Sequence, residues 1–93
     1  MTERLHVFVR GEVQGVSFRW FVDREAMRSG LRGCVRNRRD GRLEVLAEGE
    51  RAVLEAFLEQ IRRGPRMAQV EGVDIRWEEA TGEFTDFRII PTV

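Results

Sequence analysis

The sequence predicts an α+β sandwich in which two helices cover one face of a mixed, mainly antiparallel sheet. Three observations predict it. Apolar residues alternate in at least four segments, as strands require. They recur at helical spacing in two others, and glycine or proline punctuates most junctions. The resulting order is β-α-β-β-α-β with a short extra strand at the end, which suits helices gathered on one side of a sheet. Ninety-three residues suffice for one domain, 1–93.

Leu5, Val7 and Val9 alternate with His6, Phe8 and Arg10. Both faces of this first strand carry apolar side chains, as expected of a central position. Residues 11–17, with Gly11 and Gly15, form a loop. From 18 to 29 the spacing turns helical, with Phe18, Phe21, Val22 and Ala26 on one side and Asp23, Arg24 and Arg28 on the other. Gly30 stands where a helix C-terminus favours a left-handed residue. Residues 34–37 form a short strand, Asp40-Gly41 a hairpin turn, and 43–47 the returning strand. The stripe Val53, Leu54, Phe57, Leu58, Ile61 defines a helix over 50–63, with Glu59 and Arg63 at a favourable i, i+4 spacing, and Gly64-Pro65 ends it. Val70, Val73, Ile75 and Trp77 mark a strand over 69–78, and 84–90 a last short one. A right-handed first crossover makes strands one and two parallel. The loop 11–17 and Asn37 then lie at the same sheet edge.

Composition excludes several functions. The net charge is zero, which argues against bulk attraction to nucleic acid or anionic lipid. All 16 basic residues are arginine, so lysine chemistry is impossible. One cysteine and one histidine permit no intrachain disulfide and no ordinary zinc site. No apolar run suits a membrane span, and the N-terminal residues, including Glu3 and Arg4, lack a secretory pattern. A reduced, cytoplasmic, monomeric protein without metal or cofactor is the expectation.

The loop 11–17 is the most informative segment. A glycine-spaced turn that runs into a helix can aim successive backbone N–H groups, together with the helix dipole, at one anion. Arg19 follows in the first helical turn, where its guanidinium can hold two oxygens at once. Taken alone, the loop reads more readily as a tight strand-to-helix turn with a surface arginine, since glycine turns are common. It is not a Walker loop, because the Gly-Lys-Ser/Thr ending is absent. Asn37, the one asparagine in the chain, suits either a water beside such an anion seat or ordinary turn chemistry. Arg36, Arg38 and Arg39 read as a solvated rim, His6 as a half-buried sheet residue, and Cys34 as a small buried hydrophobe. Trp20, Trp77 and the phenylalanines read as core or sheet cover.

Gly11-Glu12-Val13-Gln14-Gly15-Val16-Ser17-Phe18-Arg19 resembles the G-x-V-Q-G-V-x-F-R signature of acylphosphatases, with every fixed position filled. Gly33-Cys34-Val35-Arg36-Asn37, followed by Gly41 and Gly49, resembles the second signature of that family. Gly64-Pro65, Val70, Val73 and Phe87-Arg88-Ile89 extend the likeness over nearly the whole chain. Cys34 stands where an aromatic residue is usual and Leu43 where valine is commoner; both read as packing changes. The resemblance implies a ferredoxin-like fold and hydrolysis of the carboxyl-phosphate bond of small acyl phosphates. It implies phosphate binding by the backbone amides of Gln14, Gly15, Val16, Ser17, Phe18 and Arg19 and by the Arg19 side chain. It further implies that Asn37 orients the attacking water and that neither metal nor cofactor takes part. Two other readings stand beside it. One is a non-catalytic module of the same fold that binds acyl phosphate or carbamoyl phosphate. The other is a small RNA- or protein-binding domain that uses Arg36 to Arg39.

Overall fold

The computed structural model describes residues 2–93. In chain order the elements are β1 (Thr2–Glu12), α1 (Phe18–Arg28), β2 (Arg32–Asn37), β3 (Leu43–Glu50), α2 (Arg51–Arg63), β4 (Gln69–Glu79) and β5 (Phe87–Ile89). They build one five-stranded sheet in the order β4-β1-β3-β2-β5. The pairs β1–β3, β1–β4 and β2–β3 are antiparallel, and β2–β5 is parallel. The expected ferredoxin-like sandwich, with its extra strand, is the observed one. β1 and β2 point the same way, as the crossover requires, with β3 between them.

Alternation decides which side of each strand meets the helices. Leu5, Val7 and Val9 on β1, Val35 on β2 and Val45 and Ala47 on β3 are fully buried on the helix side. Phe18, Val22 and Ala26 of α1 and Leu54, Phe57, Leu58 and Ile61 of α2 close over them. Phe57 also meets Phe87 of β5 edge-on, with ring centroids 6.3 Å apart.

Boundaries differ from expectation where pairing extends an element. β1 continues to Glu12, into the expected loop, because its far end still pairs with β4. Register shifts there between Arg10 and Gly11, so that Glu71 is left over on β4. Gly11 takes a φ of 125°, and a Cβ there would collide with the Gln69 carbonyl. β3 runs on to Glu50 against β1, while β5 shrinks to three residues. Within α2, Glu59 pairs with Arg62 at 3.5 Å rather than with Arg63, the i+3 neighbour lying on the same face as i+4.

The sheet face without helices is covered by ion pairs and, at one end, by the 80–86 loop. Glu44, on the central strand, is buried and accepts hydrogen bonds from Arg36 Nε and Arg38 Nη1, both at 2.9 Å, while His6 Nε2 lies 2.7 Å from its other oxygen. Two members of the expected solvated rim are thus structural, leaving Arg39 exposed. The guanidiniums of Arg42 and Arg38 lie over the Phe8 ring, 4.4 and 5.5 Å from its centroid. Further along, Glu48 accepts from Arg4 Nε at 2.8 Å and from the backbone N–H groups of Thr81 and Gly82 at 2.9 and 3.1 Å. That carboxylate ties the 80–86 loop to the sheet. Cys34 also lies on this face, half-buried and not in the core, because Val35 takes the inward position beside it. Burial raises its thiol pKa.

Burial alone would raise the Glu44 carboxyl, but the hydrogen bonds from His6, Arg36 and Arg38 prevail and hold it below the ordinary glutamate value. The folded chain therefore binds this proton less readily than the unfolded one. The stabilisation is complete above the unfolded value of about 4.3 and is lost as pH falls through the lower folded value. Glu44→Gln is expected to cost about 3–5 kcal/mol in urea unfolding at pH 7, and the gap to the parent chain should narrow toward pH 3.

Candidate active site

Between β1 and α1 the chain turns within five residues. Val13 is buried and anchors the turn to the core. Gly15 follows with a φ of 73° and Ser17 with a φ of 62°, while Val16 between them keeps a negative φ. A Cβ on Gly15 would meet nothing within 4 Å, so conformation rather than space calls for glycine there. Alternation of backbone handedness over successive residues points their N–H groups into one concavity. Ser17 is a left-handed residue other than glycine, a strain of about 1–3 kcal/mol of the kind that clusters at ligand sites.

Ser17 is also the N-cap of α1, yet its side chain makes no capping hydrogen bond. The first intrahelical bond runs from Phe21 N to Ser17 O at 3.0 Å, so the N–H groups of Phe18, Arg19 and Trp20 have no acceptor within the helix. No acidic residue occupies the first turn, and the positive end of the helix dipole is not offset locally.

A cleft of about 220 Å³ opens at this point. Gly15, Ser17, Phe18 and Arg19 line it from the turn and the helix, and Asn37 lines it from the end of β2. Residues distant in sequence therefore meet at one sheet edge. Gln14 and Val16 do not line the cleft. Among the described residues Arg19 pairs with no carboxylate, unlike Arg4, Arg36, Arg38 and Arg42. Asn37 Oδ1 is buried without a hydrogen-bond partner. A buried acceptor left unpaired costs about 1–3 kcal/mol.

The Asn37 backbone is held from several sides. It pairs with Leu43 across the β2–β3 ladder. Val93 N donates to Asn37 O at 3.3 Å, Arg39 N donates to Val93 O at 2.8 Å, and Ile90 N donates to Val35 O at 3.0 Å. The side chain of Gln14 adds a bond that motif reading alone does not reveal. Its Nε2 donates to Arg38 O at 2.7 Å and to Arg42 O at 3.0 Å, clamping the turn after β1 to the turn after β2. Those acceptors lie 24 and 28 residues away, so no local signal announces the clamp. Two further lining residues, Trp20 and Ile89, also escape the sequence reading. Trp20 is not core or sheet cover but is exposed at the cleft, with the Arg24 guanidinium 4.6 Å from its ring centroid.

Fold and cleft together define a ferredoxin-like sandwich with an amide-lined turn at the mouth of its first helix. Known proteins narrow this. The family model for acylphosphatase matches residues 5–89. An acylphosphatase of Pyrobaculum aerophilum is 52% identical over 91 residues, spanning 97% of this chain and 96% of the relative. The crystal structure of acylphosphatase from Bacillus subtilis superposes with a TM-score of 0.91 at 36% identity, covering 95% and 98% of the two chains. Full-length HypF in its phosphate- and nucleotide-bound form matches at a TM-score of 0.90 and 32% identity, with 99% of this chain covered but only 12% of that one. The chain belongs to the acylphosphatase family. Membership supports acyl-phosphate hydrolysis as its enzymatic activity. No helix among the described residues is long and apolar enough to cross a membrane.

The clamp carries its own test. Gln14→Leu removes both donors and leaves the Arg38 and Arg42 carbonyls without them. Hydrogen exchange of the Arg38 and Gly41 amides, which close the β2–β3 turn, should then accelerate by about tenfold, as the loss of about 1.4 kcal/mol implies.

Proposed function

We propose that the cleft between the β1–α1 turn and Asn37 hydrolyses small acyl phosphates to carboxylate and inorganic phosphate by attack of water on phosphorus. The phosphoryl dianion sits among the amides of Gly15, Ser17, Phe18 and Arg19, without those of Gln14 and Val16, and is closed by the Arg19 guanidinium. What supports this assignment most is the meeting of uncapped amides, an unpaired arginine and Asn37 in one small cleft, with Asn37 Oδ1 left without a partner.

An acyl phosphate is a mixed anhydride with a good leaving group, so the reaction needs positioning and charge stabilisation more than acid catalysis. Asn37 Oδ1 accepts a hydrogen bond from the water and aims its oxygen along the axis opposite the scissile bond. The water oxygen bonds to phosphorus as the bond from phosphorus to the carboxyl oxygen breaks, and the bonding pair leaves with the carboxylate. The water proton passes to a phosphoryl oxygen, so no protein base is required. Charge that develops on the equatorial oxygens meets N–H donors already in place.

A second reading has the same cleft bind acyl phosphate or carbamoyl phosphate without turning it over; the likeness to 12% of the phosphate- and nucleotide-bound HypF chain shows that such a domain also occurs within a longer protein. Phosphate release from acetyl phosphate by the purified chain, in the presence of a chelator, separates the two. In ¹⁸O-labelled water the label should appear in phosphate and not in acetate; label in acetate would overturn attack on phosphorus.

Arg19→Ala is expected to lower kcat/KM by at least about 10²–10³, because binding and transition-state stabilisation fall together. Arg19→Lys should recover only part of that, since a point charge replaces a two-pronged donor. Asn37→Ala should lower kcat by about 10² while competitive inhibition by inorganic phosphate changes by less than about threefold. Full turnover in Asn37→Ala would remove Asn37 from the mechanism.

A further inference from the structure

We infer that Trp20 and Ile89 seat the acyl portion of the substrate, so that the protein favours acyl phosphates with an apolar acyl chain over those with a short one. The inference rests on the hydrolase reading above.

An acyl phosphate has two ends of opposite character, and the cleft has two kinds of lining. Uncapped amides and Arg19 suit the charged end. Arg19 is the one charged side chain that lines the cleft, leaving no second cation for an acyl group with its own carboxylate. The apolar contribution is distinctive for where it occurs. Among the described residues five large apolar side chains are exposed: Trp20, Met27, Met67, Ile89 and Val93. Two of them, Trp20 at 56% and Ile89 at 43%, line this one cleft.

Single exposed apolar residues are ordinary, but two that converge on a pocket with a few polar groups have the makeup of a ligand site. They come from different elements, the first turn of α1 and the end of β5, so chain proximity does not explain their meeting. The indole is also held in advance. Arg24, one helical turn on, lies with its guanidinium 4.6 Å from the ring centroid, so less side-chain freedom is lost when a substrate docks. Each methylene laid against these side chains leaves water, and on an open shelf the gain is smaller than in an enclosed pocket.

The test compares kcat/KM for acetyl phosphate and hexanoyl phosphate. Their carboxylate leaving groups are of nearly equal basicity, so the pair isolates chain length from chemical reactivity. The unsubstituted protein should prefer hexanoyl phosphate. Trp20→Ala and Ile89→Ala should each reduce the hexanoyl-to-acetyl ratio by about 3–10-fold, and Trp20→Phe should keep most of it. Inorganic phosphate serves as the second readout, since its inhibition constant should move far less than the ratio. An absence of preference in the unsubstituted protein, or a ratio unmoved in both alanine variants, overturns the acyl seat and leaves the hydrolase reading standing. Failure of the unsubstituted protein to hydrolyse either substrate overturns both.

Discussion

A helix that begins in the open must find acceptors for its first N–H groups, and the described residues supply none for the start of α1. Ser17 caps α1 by backbone position only, and its hydroxyl closes no bond to the helix. The left-handed φ values at Gly15 and Ser17 then bring loop amides to the same place as the helix amides. Donors in excess at one point, with a positive dipole end behind them, make an environment that only an anion satisfies well. The rest of the molecule serves this arrangement. Val13 and Phe18 root the turn in the core, and the Gly11 bulge lets β1 pair to Glu12 before the chain departs.

The arginines divide into two populations that use the same side chain differently. On the open sheet face, Arg4, Arg36 and Arg38 surround buried carboxylates and substitute for a second layer of helices. Their charge is consumed in holding Glu44 and Glu48 out of water, a role that tolerates no loose partner. Arg19 is of the other kind, half-buried and without a carboxylate. A chain of zero net charge can thereby present a strong local positive field at one cleft.

Much of this was legible in the sequence because the signals were local. Alternation at Leu5, Val7 and Val9 placed β1, and the stripe from Val53 to Ile61 placed α2. The loop motif pointed to Arg19, and the crossover rule brought Asn37 to its edge. What stayed hidden depends on partners far along the chain. Glu44 looks like any strand glutamate until β2 delivers Arg36 and Arg38, and the reach of Gln14 ends 24 and 28 residues away. Two misreadings came from residue type overriding position. Cys34 reads as a small buried hydrophobe although Val35 already claims the inward face, and Trp20 reads as core or sheet cover although Phe18, Phe21 and Val22 fill that side of α1. Period outweighs hydrophobicity at both.

The return of residues 90–93 to β2 links assembly order to competence. The turn, Arg19 and Asn37 all emerge early when the chain is synthesised from its N-terminus. Yet the carbonyls of Val35 and Asn37 receive Ile90 N and Val93 N, donors that lie far along the chain and close long loops. A nascent chain held short of these residues carries the turn, Arg19 and Asn37 but leaves the end of β2 unfastened on that side. The end of β2 is therefore held on this side only once residues 90–93 have emerged and docked.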